Sequence, residues 1–125
     1  MKSLIILFFF FFTFGQNPNS NLIGKWKLLN IETEEKTIYP QKKDYYLTIT
    51  KNSLNYNLEI NGCGTEDFVI SSDEIFLDFP LCTKICCDGR YDEISNYINY
   101  NGKYELQDSL LTIFNNKNKI FLKKQ

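Results

Sequence analysis

The chain of 125 residues contains no histidine. This absence excludes Ser–His and Cys–His catalysis, and it removes the imidazole ligand that many zinc sites use. Adjacent carboxylates occur at positions 34–35, 66–67, 73–74 and 92–93. Neighbours on a strand point to opposite faces, so these pairs do not converge as an acid and a base would. We therefore expect no catalytic residues and no cofactor, in a protein that is not an enzyme.

The sequence also has no large excess of positive or negative charge. The chain has 14 basic and 15 acidic residues, for a formal net charge of −1. A nucleic-acid-binding surface usually shows as a stripe of basic residues, and the lysines of this chain are scattered and form no such stripe. The sequence therefore predicts no nucleic-acid partner.

One long apolar run is present, at the N-terminus. Lys2 precedes an unbroken apolar stretch over residues 4–12, and the small residues Thr13 and Gly15 follow it. A basic start, a short apolar run and small residues at −3 and −1 are typical of a secretory signal peptide. As a helix, residues 4–14 would reach only about 16 Å, against a hydrocarbon core of about 30 Å.

This N-terminal pattern sets the expected domain organisation. Residues 1–15 are predicted to be a signal peptide, residues 16–21 a flexible leader, and residues 22–125 a single folded domain. We expect the mature protein to be secreted or periplasmic, with no stable membrane span after cleavage.

Four cysteines lie at positions 63, 82, 86 and 87. The spacing C-x18-C-x3-C-C lacks the two close pairs that a zinc site wants, so we expect no metal. A small secreted chain meets an oxidising compartment, where cysteines form structural disulfides. Bonding of the neighbours Cys86 and Cys87 is disfavoured by strain, which leaves Cys63–Cys86 with Cys82–Cys87, or Cys63–Cys87 with Cys82–Cys86.

Alternation of apolar and polar residues dominates the rest of the chain and predicts strands. It is clearest in SLNYNLEIN, residues 53–61, which forms a predicted hairpin with residues 45–50. The eight predicted strands are residues 24–32, 45–50, 53–61, 67–71, 74–79, 102–107, 109–114 and 119–124.

One segment departs from this alternation. Between residues 88 and 102, apolar side chains recur at Tyr91, Ile94, Tyr97 and Ile98, a spacing typical of an amphipathic helix. The sequence therefore predicts a mostly β protein: a small antiparallel eight-stranded barrel or curled sheet, with one short helix between strands 5 and 6.

Large side chains are available to fill the interior of such a sheet. Those predicted to point inward are Trp26, Tyr56, Phe68, Phe79 and Phe114, and Trp26 is the predicted core anchor. A long charged loop over residues 32–43 carries Ile38, Tyr39 and Pro40 at its predicted tip. This tip is a possible interaction loop.

The order of motifs resembles a known family. Gly24-Lys25-Trp26 opens the first strand in the manner of the lipocalin signature, in which the tryptophan plugs one end of a barrel. NGC at residues 61–63, T-x-x-C at 83–86 and a final strand set ending in FLKK follow it. This order, over residues 22–124, is similar to the META/HslJ-type, lipocalin-like domain of bacterial secreted and envelope proteins.

The resemblance carries further expectations. It implies that Cys63 pairs with Cys86, since these two match the family's cysteines, and it implies an envelope or stress-related role without catalytic residues. Gly64 stands where the family has asparagine, and Cys82 and Cys87 are additional. We expect a secreted, non-enzymatic binding or envelope-stress module with a small apolar ligand or a protein partner; the alternative is a protein-interaction module such as a protease inhibitor.

Overall fold

Period-two alternation in the sequence becomes a sheet of eleven strands in the computed structural model, which describes residues 20–125. The predicted signal peptide and residues 16–19 of the predicted leader lie outside the described residues. The strands are β1 (Gly24–Glu32), β2 (Thr37–Ile38), β3 (Tyr46–Ile49), β4 (Leu54–Asn57), β5 (Gly62–Thr65), β6 (Phe68–Ile70), β7 (Glu74–Leu77), β8 (Leu81–Cys82), β9 (Gly102–Gln107), β10 (Leu110–Asn115) and β11 (Asn118–Lys124). Two 3-10 helices, Ser20–Leu22 and Glu93–Tyr97, complete the described elements.

The strands form one antiparallel sheet that curls strongly into a half-barrel. Its order is β6-β7-β9-β10-β11-β1-β3-β4-β5-β8, with β2 paired to β1 only. The predicted mostly β, curled antiparallel architecture is confirmed. The predicted 53–61 strand is shorter in the structure, because β4 ends at Asn57 and the chain then turns, with Leu58 N donating to the Asn61 carbonyl at 2.7 Å. Three strands are additions to the predicted set: β2 and β8, of two residues each, and β5, of four.

The predicted amphipathic helix is a five-residue 3-10 helix, Glu93–Tyr97. Asp92 stands at its N-cap position but makes no side-chain capping bond. Its buried carboxylate instead accepts hydrogen bonds from Gln41 N, Lys42 N and Tyr45 Oη. The Asp92 carboxylate therefore binds other parts of the chain and does not cap the helix. At the other end, Ile98 has an extended backbone, which ends the helix.

The concave side of the sheet is filled by apolar side chains. Its largest fully buried members, each less than 2% exposed, include Trp26, Tyr45, Tyr100, Leu28 and Leu47. Trp26 Nε1 donates a hydrogen bond to the Leu22 carbonyl at 2.9 Å, which joins the first 3-10 helix to β1. Among residues 20–125, no helix is long and apolar enough to cross a membrane.

Candidate functional site

The cysteines lie at one edge of the sheet, where β8 pairs with β5. Cys63 of β5 stands directly opposite Cys82 of β8, and the two form a disulfide with an S–S distance of 2.08 Å. The predicted pairing of Cys63 with Cys86 is therefore wrong, because the strand register places Cys82 against Cys63. The same bond excludes the other pairing that the sequence left open, Cys63–Cys87 with Cys82–Cys86, and the structure brings the neighbours Cys86 and Cys87 together.

The disulfide fastens Cys82, which lies within a segment that we call the rim segment, residues 78–88. Asn61, a buried residue in the turn before β5, fastens its middle. Its amide Nδ2 donates to the Ile85 carbonyl at 2.7 Å, and its Oδ1 accepts from Ile85 N at 2.7 Å and from Thr83 Oγ1 at 2.6 Å. The Asn61 side chain thus uses both its donor and its acceptor group to bind the backbone of Ile85 in the rim segment.

Asp88 fastens the C-terminal end of the rim segment. Its carboxylate accepts hydrogen bonds from Ile60 N at 2.7 Å, from Asn61 N at 3.1 Å and from the Asn61 side chain. Partial burial alone would raise the pKa of Asp88, but these three hydrogen bonds to the charged form lower it below its usual value. The carboxylate therefore stays ionised, and it keeps accepting these bonds, at neutral pH.

Large apolar side chains of this fastened rim segment face solvent. Phe79 is 87% exposed, Leu81 82% and Ile85 59%. The prediction that Phe79 points inward is wrong, because β7 ends at Leu77 and Phe79 adopts a left-handed backbone with φ 46°. That conformation costs a non-glycine residue about 1–2 kcal/mol, so the fold holds this ring outward against a local backbone preference.

Beside the rim segment, a trough runs along the outer face of β5. Cys63 points into the core, so the outward positions of β5 are Gly62 and Gly64, which carry no side chain. Asn55 of β4 and Leu81 of β8 are the cross-strand partners of Gly64: Leu81 flanks this floor, and the side-chain amide of Asn55 leans over Gly64. A groove of about 730 Å³ opens over these residues, and a second of about 670 Å³ continues from Gly64 to residues 65–67.

The two ends of the trough differ in charge. Three carboxylates, Glu66, Asp67 and Asp78, line the second groove together with Phe79. Lys25 lines the first groove, and its ammonium group lies 4.2 Å from the centre of the Tyr46 ring. The trough therefore has an acidic end beside an exposed aromatic ring and a cationic group at its opposite side.

The predicted interaction loop does not present all three of its predicted tip residues to solvent. Ile38 lies in β2, is only 5% exposed and pairs with Ile31 of β1, so it belongs to the core and not to a loop tip. Tyr39 is 55% exposed. After Pro40, the backbone N–H groups of Gln41 and Lys42 donate hydrogen bonds to the Asp92 carboxylate. The pKa of Tyr45 is raised above its usual value, first by burial and second by its hydrogen bond to Asp92. Of the predicted tip, Tyr39 is thus the largest exposed side chain, and Pro40 is half-buried.

Sequence reasoning missed most of this site. It singled out Cys63, Cys82 and the glycines around Cys63, but it did not assign a role to Asn61 or place Leu81 at the surface. A signal existed in the alternation of Gly-Cys-Gly, which leaves one face of a strand bare. The described residues contain no group of three or more Cys, Asp or Glu arranged to hold a metal ion.

Comparison with known proteins finds no relative of this chain. No protein-family model, no curated protein and no solved structure matches the chain significantly.

Proposed function

We propose that this protein is a secreted, non-enzymatic binding module that contacts a partner protein through the rim segment. The observation that carries this proposal is the exposure of Phe79 and Leu81 on a stretch that is fastened on both sides. Before them, Asp78 N donates to the Asp67 carbonyl at 3.1 Å, and after them Cys82 forms the disulfide with Cys63. Large apolar side chains exposed together mark interaction surfaces, and fixing them before binding reduces the ordering cost of association.

The core favours a protein partner over a small apolar ligand held inside the sheet. Trp26, Tyr45 and Tyr100 fill the concave side, and each is at most 1% exposed. The two grooves around β5 lie on the outer face instead. Binding at the outer surface therefore fits this fold better than a lipocalin-type interior site.

Two further parts of the proposal concern compartment and family. Formation of the Cys63–Cys82 disulfide suits an oxidising compartment, in agreement with the N-terminal signal-peptide pattern. We also propose membership of the META/HslJ-type family, in an envelope or stress-related setting. Its support is that Asn61 and Thr83, from the two motifs quoted above, bond to each other at 2.6 Å.

Photo-crosslinking tests the proposed contact surface. A benzoylphenylalanine introduced at Phe79 is expected to form a discrete covalent adduct with another protein in cells that make and secrete this chain. The same probe at Tyr39, which is also exposed but lies in a different loop, is the matched control and should give no such adduct. Leu81→Ser should reduce the adduct formed from position 79. Equal adducts from both positions, or none from position 79, would overturn the proposal.

A further inference from the structure

The floor of the trough contains a glycine that the fold itself does not require. Gly62 has no left-handed φ, and a Cβ placed on it would meet no atom within 4 Å. Gly64 differs, because a Cβ there would collide with Asn55 Oδ1. The backbone and the packing thus explain the glycine at position 64, whereas the glycine at position 62 only keeps the trough open.

The walls of the trough have different chemistry. On the β8 side stand Leu81 and Phe79, both more than 80% exposed. On the β4 side stands Asn55, whose cross-strand neighbours are Thr48 and Gly64. A bound chain lying in the trough would therefore meet an apolar ridge on one side and amide and hydroxyl groups on the other.

The shape of the trough fits an extended polypeptide. From Gly62 to Thr65 the floor follows strand β5 for about 10 Å, the length of roughly three extended residues, and it ends where the chain bends at Glu66. Strand β5 is already hydrogen-bonded to β4 on one side and to β8 on the other. A guest therefore binds through its side chains against the floor and walls, and not as an added strand of the sheet.

Charge decides which polypeptide fits. The carboxylates of Glu66, Asp67 and Asp78 line one end of the trough, and no lysine or arginine lines that groove. We propose that the trough binds an extended segment of a partner protein that places an apolar side chain against Leu81 and Phe79 and a lysine or arginine beside these carboxylates. This inference rests on the proposed function, since it names the part of the partner that the rim surface takes.

The test uses a displayed library of random twelve-residue peptides, selected on the full mature protein. Selected peptides are expected to be enriched in a lysine or arginine together with an aromatic or aliphatic residue. Gly62→Val, which fills the trough, should weaken their binding at least tenfold in fluorescence anisotropy. Thr112→Val puts the same side chain on the outer face of β10, far from the trough in strand order, and should leave binding unchanged.

A second pair of variants tests the charge argument. Glu66→Gln combined with Asp78→Asn should weaken the selected peptides several-fold and reduce the salt dependence of their binding. Glu105→Gln removes an exposed carboxylate from β9 and serves as the control. Urea unfolding of each variant establishes that the fold is retained, and Gly62→Ala offers a smaller obstruction if Gly62→Val does not fold.

The outcomes separate this inference from the proposed function. If no peptides are enriched, if acidic peptides are selected, or if peptides bind Gly62→Val as well as the unchanged protein, the trough inference is overturned. Binding of an immobilised glycan that Gly62→Val abolishes would also overturn it, since the occupant would then be a carbohydrate. In each case an adduct formed only from position 79 would leave the proposed function standing.

Discussion

Replacing Trp26 with alanine is expected to lower the free energy of unfolding by about 3–5 kcal/mol. The side chain is 1% exposed, and its indole N–H donates to the Leu22 carbonyl. Truncation therefore leaves a large cavity and an unpaired acceptor in the core. Urea denaturation of the mature protein measures the loss, which is large relative to the 5–15 kcal/mol that stabilises a typical domain.

Trp26→Phe is the control for this prediction, because it retains an aromatic ring and removes the indole N–H donor. Its expected loss of stability is smaller than that of Trp26→Ala. A loss below about 1 kcal/mol for Trp26→Ala would contradict the placement of the indole in the core, since core aromatic truncations cost several times more.

Removing the Cys63–Cys82 disulfide, as Cys63→Ala with Cys82→Ala, is expected to lower the free energy of unfolding by about 3 kcal/mol. The bond closes a loop with a sequence separation of 19, and the unfolded chain gains entropy when that closure is lost. Hydrogen exchange should also become faster over β8, because this two-residue edge strand pairs only with β5 among the described strands.

The matched control is Cys86→Ala with Cys87→Ala. These cysteines are adjacent in the chain, with a sequence separation of 1, so a bond between them would restrict the unfolded chain far less. Its expected cost is well below that of the first pair. Equal losses from the two double variants would contradict the role assigned to Cys63–Cys82.

The sequence predicted the long strands well, for a physical reason. Strands such as β10 and β11 bury one face, so their apolar residues must recur with a period of two. Strand β1 keeps this period as far as Leu28, after which an irregularity in its pairing with β11 shifts it. Strands β2 and β8 escaped prediction because they have two residues each, too few to show any period. Strand β5 escaped it because its sequence, GCGT, has no alternation of apolar and polar side chains. They form through pairing with longer neighbours and not through a preference of their own.

Disulfide connectivity lay beyond the sequence for a similar reason. Spacing restricts the possible pairings but does not choose among them, whereas strand register places two particular residues face to face. Here the pairing of β5 with β8 sets Cys63 against Cys82. The resemblance to a family pointed to Cys86, and that inference failed because Cys82 is an additional cysteine that the family pattern does not contain.

The exposure of Phe79 shows how alternation can mislead at the end of a strand. Ile75 and Leu77 point inward, and continuing the same period would bury Phe79 as well. The strand ends first, and the left-handed backbone of Phe79 turns its ring outward. The residues of the candidate site thus lie where local preferences and the observed structure disagree.

Mass spectrometry of the protein purified from the secreted or periplasmic fraction of cells that make it tests the central claim most directly. The claim is that an exported chain presents a rim segment covalently fastened to β5. Digestion without reduction is expected to give an N-terminal peptide that starts at Gln16 and a cross-linked peptide pair that joins Cys63 to Cys82. A retained N-terminus with free thiols at both positions would contradict the account.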